Sequence, residues 1–436
     1  MTSPNVSACP PRLAIACQGG GAHTAFTAGA LSYLFLAFEH FQRRPAGQMP
    51  FRLTGLSGTS GGAITAAMAW SDPGSPSWAE GAQRMLRFWN RNKAGLDPRD
   101  KAPWWWGEFY TNAATRWLAD VGNFGPTVTW PPNPVMSTLT RERMRSDMRA
   151  ALGLPPDADS VRGRAGLDLY VGAVDVINRG AASPGSAFRT FPAGRDQPLH
   201  LDELLASACI PEFFFAQKLT LHNGRSHESY FWDGLYSQNP PLTNFFCDRR
   251  AEHKPDLVWI IQINPTAYSG RAPTTPSEID DRRNELAGNL SLGQELRSIA
   301  TVNQIAAELD ELRGQLPADD AALKAPLFQR YKTVTVAFLP LANEDGSGRP
   351  LAAYTLDHAS KMNRDPAFID ALIAEGIATA HTLAHAGQLV RPACMTGERH
   401  ARHFPNPSWP APAELVPLLD DPVLAAQWRA LAAGIA

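Results

Sequence analysis

The sequence predicts an α/β fold in which a mostly parallel sheet is covered by helices. Two strand–turn–helix units follow one another within the first 70 residues, and such units are typical of parallel sheets. A third observation is the uninterrupted apolar run Leu257–Ile263, which is typical of a strand buried on both faces. The 436 residues are 44% hydrophobic and 19% charged, a composition that can bury a core and that excludes wholesale disorder.

The first unit begins with the β-type run Arg12–Cys17 and ends in a helix expected over Ala25–Arg44. Between them lies Gly19-Gly20-Gly21, whose backbone N–H groups can point at an anion near the helix N-terminus. A Walker phosphate loop is excluded because no GKS or GKT follows. A dinucleotide-binding fingerprint fails because Thr24 stands where the last glycine is required.

The second unit joins the strand Phe51–Leu56 to the small apolar helix Ala63–Trp70 through a glycine-rich turn. Within the turn, Gly58, Ser60 and Gly62 fit the pattern G-x-S-x-G. Such a turn lifts a serine hydroxyl out of the sheet at a helix N-terminus, and the small flanking residues permit the strained backbone. The pattern therefore predicts that Ser60 is a nucleophile.

The rest of the chain continues the α/β pattern. Residues 71 to about 156 are rich in Trp and Pro, and we interpret them as a helical insertion over the sheet. The tail from about residue 390 is Pro-rich and poorly specified. The other expected elements are strands at Leu167–Val176, Ala187–Phe191, Ser229–Trp232 and Thr333–Leu339, and helices at Leu201–Cys209, Glu285–Leu312 and Pro366–Leu389.

A carboxylate follows one of these strands. Asp233 and Gly234 end the run Ser229–Trp232, and an Asp at a strand end beside a glycine can present its carboxylate to a cleft. Taken alone, the pair is also typical of a common Asp-Gly turn.

In this order, the three elements resemble the patatin-like phospholipase family, whose pattern is G-G-G-x-[R/K]-G, then G-x-S-x-G, then a distant D-G-[G/A]. Ser207–Phe214 also looks like the S-x-A-x-P-x-x-F element of that family, and the resemblance covers residues 12 to 240. Three positions depart from the pattern: His23 replaces its basic residue, Thr24 its glycine, and Leu235 its final small residue.

The resemblance implies a three-layer α/β/α sandwich, with a catalytic domain over residues 12–250 and residues 251–436 completing the same fold. It implies hydrolysis of a phospholipid or another lipid acyl ester, with Ser60 as the nucleophile and Asp233 as its base. The backbone N–H groups of Gly19, Gly20 and Gly21 would form the oxyanion hole. The same resemblance implies that neither a metal nor an organic cofactor is needed.

Two alternatives remain open. The three departures are compatible with a non-catalytic lipid-binding or scaffolding relative. A Ser-Asp-His α/β-hydrolase would need a histidine after Asp233, for which His358, His381 and His385 are candidates. His381 and His385 are also spaced like two zinc ligands on a helix, but Thr382 stands where HExxH has its glutamate.

Composition bounds the partners and the location. A net charge of −2 provides no basic field for nucleic acid. Five cysteines without a CxxC pair argue against a disulfide framework, and the first eleven residues do not resemble a secretory signal. We therefore expect a cytoplasmic protein whose membrane contact is peripheral. The aromatic cluster Trp104–Tyr110 is either the core of the insertion or an interfacial, acyl-chain-binding surface.

Overall fold

The computed structural model describes residues 9–44, 49–94, 134–177, 187–392 and 402–435, except for short gaps at 73, 75–76, 212–213, 224, 248, 267–271, 318–319, 321–322, 324, 342–350, 352–353 and 355. The aromatic cluster Trp104–Tyr110 lies outside the described residues. Both interpretations of that cluster therefore stay predictions.

An eight-stranded, mostly parallel sheet forms the centre of the fold. The strands of the described residues are β1 Arg12–Cys17, β2 Arg52–Thr59, β3 Ser160–Val161, β4 Asp168–Asp175, β5 Phe188–Ala193, β6 Leu199–His200, β7 Gln217–Asn223, β8 Arg225–Asp233, β9 Leu257–Gln262 and β10 Thr335–Pro340. In the central sheet they run in the order β10-β9-β1-β2-β4-β8-β7, and β5 also pairs with β4. The pairs along β10-β9-β1-β2-β4 are parallel, whereas β5, β7 and β8 are joined by antiparallel pairs. A separate antiparallel pair joins β3 and β6.

Helices cover both faces of the sheet. In β1, Leu13 and Ile15 belong to the larger apolar cluster, while Ala14 and Ala16 belong to a second cluster on the opposite face. Successive strand residues point to opposite faces of the sheet, so each cluster lies between the sheet and one of the two helical layers. The helices are α1 Ala25–Arg43, α2 Gly61–Trp70, α3 Trp78–Asn92, α4 Pro134–Leu152, α5 Leu201–Ser207, α6 Pro276–Gln315, α7 Pro326–Arg330, α8 Pro366–His385 and α9 Pro422–Ala432.

The larger layer is built on α1 and α8, whose side chains fill the first cluster, whereas α6 contributes Leu292 and Ile299 to the second. Among the described residues, α8 is long and apolar enough to cross a membrane, but 67% of its most apolar window is buried inside the fold. The predicted α/β class with a mostly parallel sheet between helices is confirmed.

Several elements differ from the sequence-based expectation, among them a longer helix, an additional strand and a helix in the tail. Helix α6 begins nine residues before Glu285 because Thr275 caps its N-terminus and Glu278 completes a capping box. Strand β7 was not expected, and it pairs along its length with β8. The tail was expected to be poorly specified, but α9 forms there, with Asp421 accepting the N–H groups of the first turn.

Candidate active site

Ser60 occupies a sharp turn between β2 and α2. Its backbone angles are φ 55° and ψ −133°, and among the described residues it is the one non-glycine residue with a positive φ. Such a conformation costs about 1–3 kcal/mol and persists only where the surroundings hold it. The Ser60 N–H donates to Ser207 Oγ at 2.9 Å, and that hydroxyl donates to Gly172 O at 2.6 Å. The strained turn is thus fixed from β4 and α5.

The two outer residues of the G-x-S-x-G pattern are glycines for steric reasons. A Cβ on Gly58 would lie 2.7 Å from backbone atoms of Ala63. A Cβ on Gly62 would lie 2.5 Å from Cys17 O and 2.6 Å from Gln18 O. The start of α2 therefore packs directly on the end of β1, where the glycine loop begins.

The glycine loop lies against three different neighbours. A Cβ on Gly19 would come within 2.9 Å of Ser60 Cβ, and one on Gly21 would come within 2.3 Å of Lys361 O. Gly21 also has a φ of 57°, which favours glycine. The Gly19 N–H donates to Asn239 Oδ1 at 2.6 Å, whereas the N–H groups of Gly20 and Gly21 donate to no residue that the structure describes.

Asp233 ends β8 and is 1% exposed. One of its carboxylate oxygens, Oδ1, accepts the Leu235 N–H at 2.8 Å, and its own N–H donates to Cys209 O at 2.8 Å. Pairing of β8 with β4 places Asp233 opposite Ala173. Since β4 neighbours β2, the Asp233 carboxylate lies at the same end of the strands as Ser60, which follows β2.

A single cleft brings the predicted residues together. The space between its walls, part of which is open to solvent, is about 470 Å³, and its lining includes the glycine loop Gly19–Gly21, Ser60 and Asp233. The lining also includes His358 and Lys361 from the C-terminal part of the chain. The cleft thus contains a serine, a buried carboxylate and backbone N–H groups, which are the components of an acyl-transfer site.

The three departures from the family pattern each have a structural role. His23 is 3% exposed, and its Nε2 lies 2.8 Å from Ser360 Oγ. Burial, with smaller contributions from Lys361 and His358, lowers the pKa of His23 well below its usual value.

The other two departures involve Thr24 and Leu235. Thr24 Oγ1 donates to Gly21 O at 2.6 Å, so the threonine closes the glycine loop. The Leu235 N–H binds Asp233, and Leu235 Cδ1 packs against Gly288 in α6. All three replacements are therefore accommodated next to the cleft.

Residues that the sequence did not single out hold the loop in place. Gln18 Oε1 accepts the N–H groups of Ile263 and Asn264, and its Nε2 donates to Asn289 Oδ1 at 2.8 Å. Asn239, which accepts the Gly19 N–H, donates to Gly288 O at 3.2 Å. These amides lie far apart in the sequence and carry no motif, so no local signal could have identified them.

The three candidate histidines lie in two different places. His358 lines the cleft, whereas His381 and His385 lie next to each other in α8, with ring centroids 4.2 Å apart and ring planes tilted by 49°. Burial, and secondarily His385, lowers the pKa of His381 to about 4. No group of three or more potential metal ligands occurs among the described residues.

The family comparison agrees with this architecture. A family model of patatin-like phospholipases matches residues 15–246, which is more than half of the chain. The chain therefore belongs to the patatin-like phospholipase family, a family of lipid acyl hydrolases. No curated protein matches the chain at a significant level.

Proposed function

We propose that the protein hydrolyses acyl esters of phospholipids or other lipids by means of a Ser60–Asp233 dyad. The observation that carries the proposal is the strained backbone of Ser60, held at the start of α2 in the same cleft as Asp233. Non-glycine residues are rarely held in such a conformation without a functional reason. The family relationship supports a lipid acyl ester as the substrate.

In the proposed mechanism, Ser60 Oγ attacks the ester carbonyl carbon and its proton passes to Asp233. The oxyanion accepts hydrogen bonds from the N–H groups of Gly20 and Gly21, while Gly19, whose N–H is bound to Asn239, positions them. The intermediate expels the alcohol, which takes the proton from Asp233. Water then attacks the acyl-enzyme and gives a proton to Asp233. The second intermediate collapses to the fatty acid, and Ser60 Oγ leaves by taking that proton back from Asp233.

Near-complete burial suits Asp233 to the role of base. An exposed carboxylate has a pKa of about 3.9 and is a weak base, whereas burial favours the protonated form of a carboxylate. The helix dipole of α2 also favours negative charge at the Ser60 end of the helix. Burial thus favours proton transfer to Asp233, and the helix dipole favours the oxyanion that forms beside Ser60.

The proposal includes a location. We propose that the protein acts in the cytoplasm and meets lipid peripherally. Within the described ranges, Cys9, Cys17, Cys209 and Cys247 form no disulfide, as is usual in a reducing compartment. Tyr236, which lines the cleft, is 44% exposed and offers an aromatic ring at the entrance.

Hydrolysis of a short-chain nitrophenyl ester by two substituted proteins tests the dyad. Ser60→Ala and Asp233→Asn should each reduce kcat by at least about 1,000-fold, since nucleophile and base act as a unit. Ser229→Ala and Asp175→Asn are matched controls: they remove a buried serine–aspartate hydrogen bond between β8 and β4 that lies outside the cleft lining. Full activity in a folded Ser60→Ala protein would overturn the proposal.

A Ser-Asp-His triad is the second candidate mechanism, because His358 lines the cleft. The dyad predicts that His358→Ala retains kcat within about threefold, whereas an essential base would cost ~1,000-fold or more. His381→Ala is the control, since His381 packs against Tyr33 away from the cleft. Inactivation by His358→Ala alone would replace the dyad with the triad.

A further inference from the structure

Part of the cleft wall comes from a short turn outside the family-matched segment. This 3-10 turn, Ala359–Met362, contributes Lys361 to the lining. The Lys361 carbonyl is so close to Gly21 that a Cβ on that glycine would lie 2.3 Å from the oxygen. The outer side of the glycine loop therefore rests on the backbone of Lys361.

The side chain of Lys361 binds two further segments around the loop. Its Nζ donates to Asn264 Oδ1 at 2.7 Å and to Asn284 Oδ1 in α6. Asn264 Nδ2 in turn makes a long hydrogen bond of 3.5 Å to Gly19 O. One ammonium group thus connects the turn, the end of β9 and α6, and it reaches the glycine loop through Asn264.

Lys361 also places a cation beside the glycine loop. His23 lies within the loop region, but its lowered pKa leaves it uncharged at neutral pH. In the described part of the chain, Lys361 is the one Lys or Arg residue that lines the cleft. A positive charge in a site of low dielectric stabilises a developing oxyanion much more than it would in water.

We propose that Lys361 is a positioning residue of the oxyanion site. Its ammonium group holds the Gly19–Gly21 loop in the geometry that donates to the oxyanion, and supplies local positive charge. This inference rests on the proposed esterase function. It assigns part of the catalytic apparatus to the C-terminal region of the chain.

Burial and the charged groups around Lys361 together set its pKa. Burial is the largest effect and lowers the pKa of Lys361 to about 8, while the carboxylates Asp281 and Glu285 of α6 and Asp357 beside the turn favour the ammonium form. On the loop side, His23 is uncharged at neutral pH. Deprotonation of Lys361 should therefore remove the charge as the pH rises through about 8.

The test compares kcat and KM of Lys361→Met and Lys361→Arg on an uncharged, soluble nitrophenyl ester. Lys361→Met should lower kcat about tenfold or more and leave KM within about threefold, and Lys361→Arg should recover part of the loss. Lys332→Met is the matched control. The Lys332 Nζ donates to Asp256 Oδ1 at 2.9 Å, and this pair lies at the end of the strands away from the cleft. Lys332→Met should change kcat little, whatever it costs in melting temperature.

The pH profile separates positioning by charge from a merely structural role. The kcat of the wild type should fall as the pH rises through about 8, and Lys361→Arg should remove this fall because arginine stays protonated. The same fall in wild type and Lys361→Arg would overturn the inference, even if Lys361→Met did not fold. Unchanged kcat in a folded Lys361→Met protein would also overturn it.

A different role for the charge would give a different pattern. If Lys361→Met raised KM for anionic lipid esters alone and left kcat intact, Lys361 would bind the headgroup and the inference would be wrong. The proposed function fails separately, through an active Ser60→Ala protein. The two failures are therefore distinguishable.

Discussion

Replacement of Gly62 by alanine should separate the serine from the glycine loop. Gly62 lies in the first turn of α2, and its Cα faces the carbonyl groups of Cys17 and Gln18 at the end of β1. A methyl group there would lie 2.5 and 2.6 Å from the two oxygens. Both atoms belong to the backbone, so no side chain can rotate to make room.

The required displacement can be estimated from these contacts. The shorter contact is about 0.9 Å below the 3.4 Å at which ordinary contact begins, so α2 or the loop must move by nearly that distance. A misplacement of about 1 Å in a catalytic constellation can cost about 100-fold in rate. Overpacking of this kind also costs about 1–3 kcal/mol of stability.

The assay is hydrolysis of a nitrophenyl ester together with urea unfolding. Gly62→Ala should lower kcat about 100-fold while the protein remains folded. Gly293→Ala is the control: Gly293 is exposed in α6, and a Cβ there would meet no atom of the described residues within 4 Å, so alanine should stabilise the helix by about 0.5–1 kcal/mol. Wild-type kcat in Gly62→Ala would refute the close packing of α2 on β1.

Three further predictions concern groups around the cleft. Ser207→Ala leaves the buried Ser60 N–H without its acceptor and should cost about 1–3 kcal/mol in urea unfolding; an unchanged midpoint would contradict this. Thr24→Val removes the hydroxyl that binds Gly21 and should lower kcat severalfold at an unchanged melting temperature, whereas an unaltered kcat would show that this bond does not position the loop. Burial raises the pKa of Glu295 from 4.5 to about 7, so its contribution to stability is complete below about pH 4.5 and is lost as the pH rises to about 7; Glu295→Gln should flatten this dependence in urea titrations, and identical curves would refute it.

Local patterns in the sequence predicted the framework of the site. The strand β1, the start of α1 and the strained turn at Ser60 are all encoded within a few residues by apolar periodicity and glycine spacing. These features depend on nearby residues, so a single sequence suffices to predict them. The role of Asp233 is different: its place at a strand end made it a candidate, but only the family resemblance implied that it is the base, because an Asp-Gly pair is also typical of a common turn.

Other features were missed for two different reasons. The starts of α6 and α9 carry visible signals, namely Thr275 with Glu278 and Asp421 before a proline, which could have placed both helices. Lys361 and Asn239, in contrast, reach the glycine loop through contacts between residues more than 200 positions apart. No periodicity or motif encodes such contacts.

The measurement that tests the central claim most directly is covalent labelling with a fluorophosphonate ester, read by intact mass. A Ser-Asp dyad predicts one adduct on the wild type and none on Ser60→Ala, with Ser229→Ala labelled like the wild type. Peptide mapping should place the adduct on Ser60. A folded wild type that takes up no label, or a Ser60→Ala protein that is labelled as fast as the wild type, would contradict the assignment of Ser60 as the nucleophile.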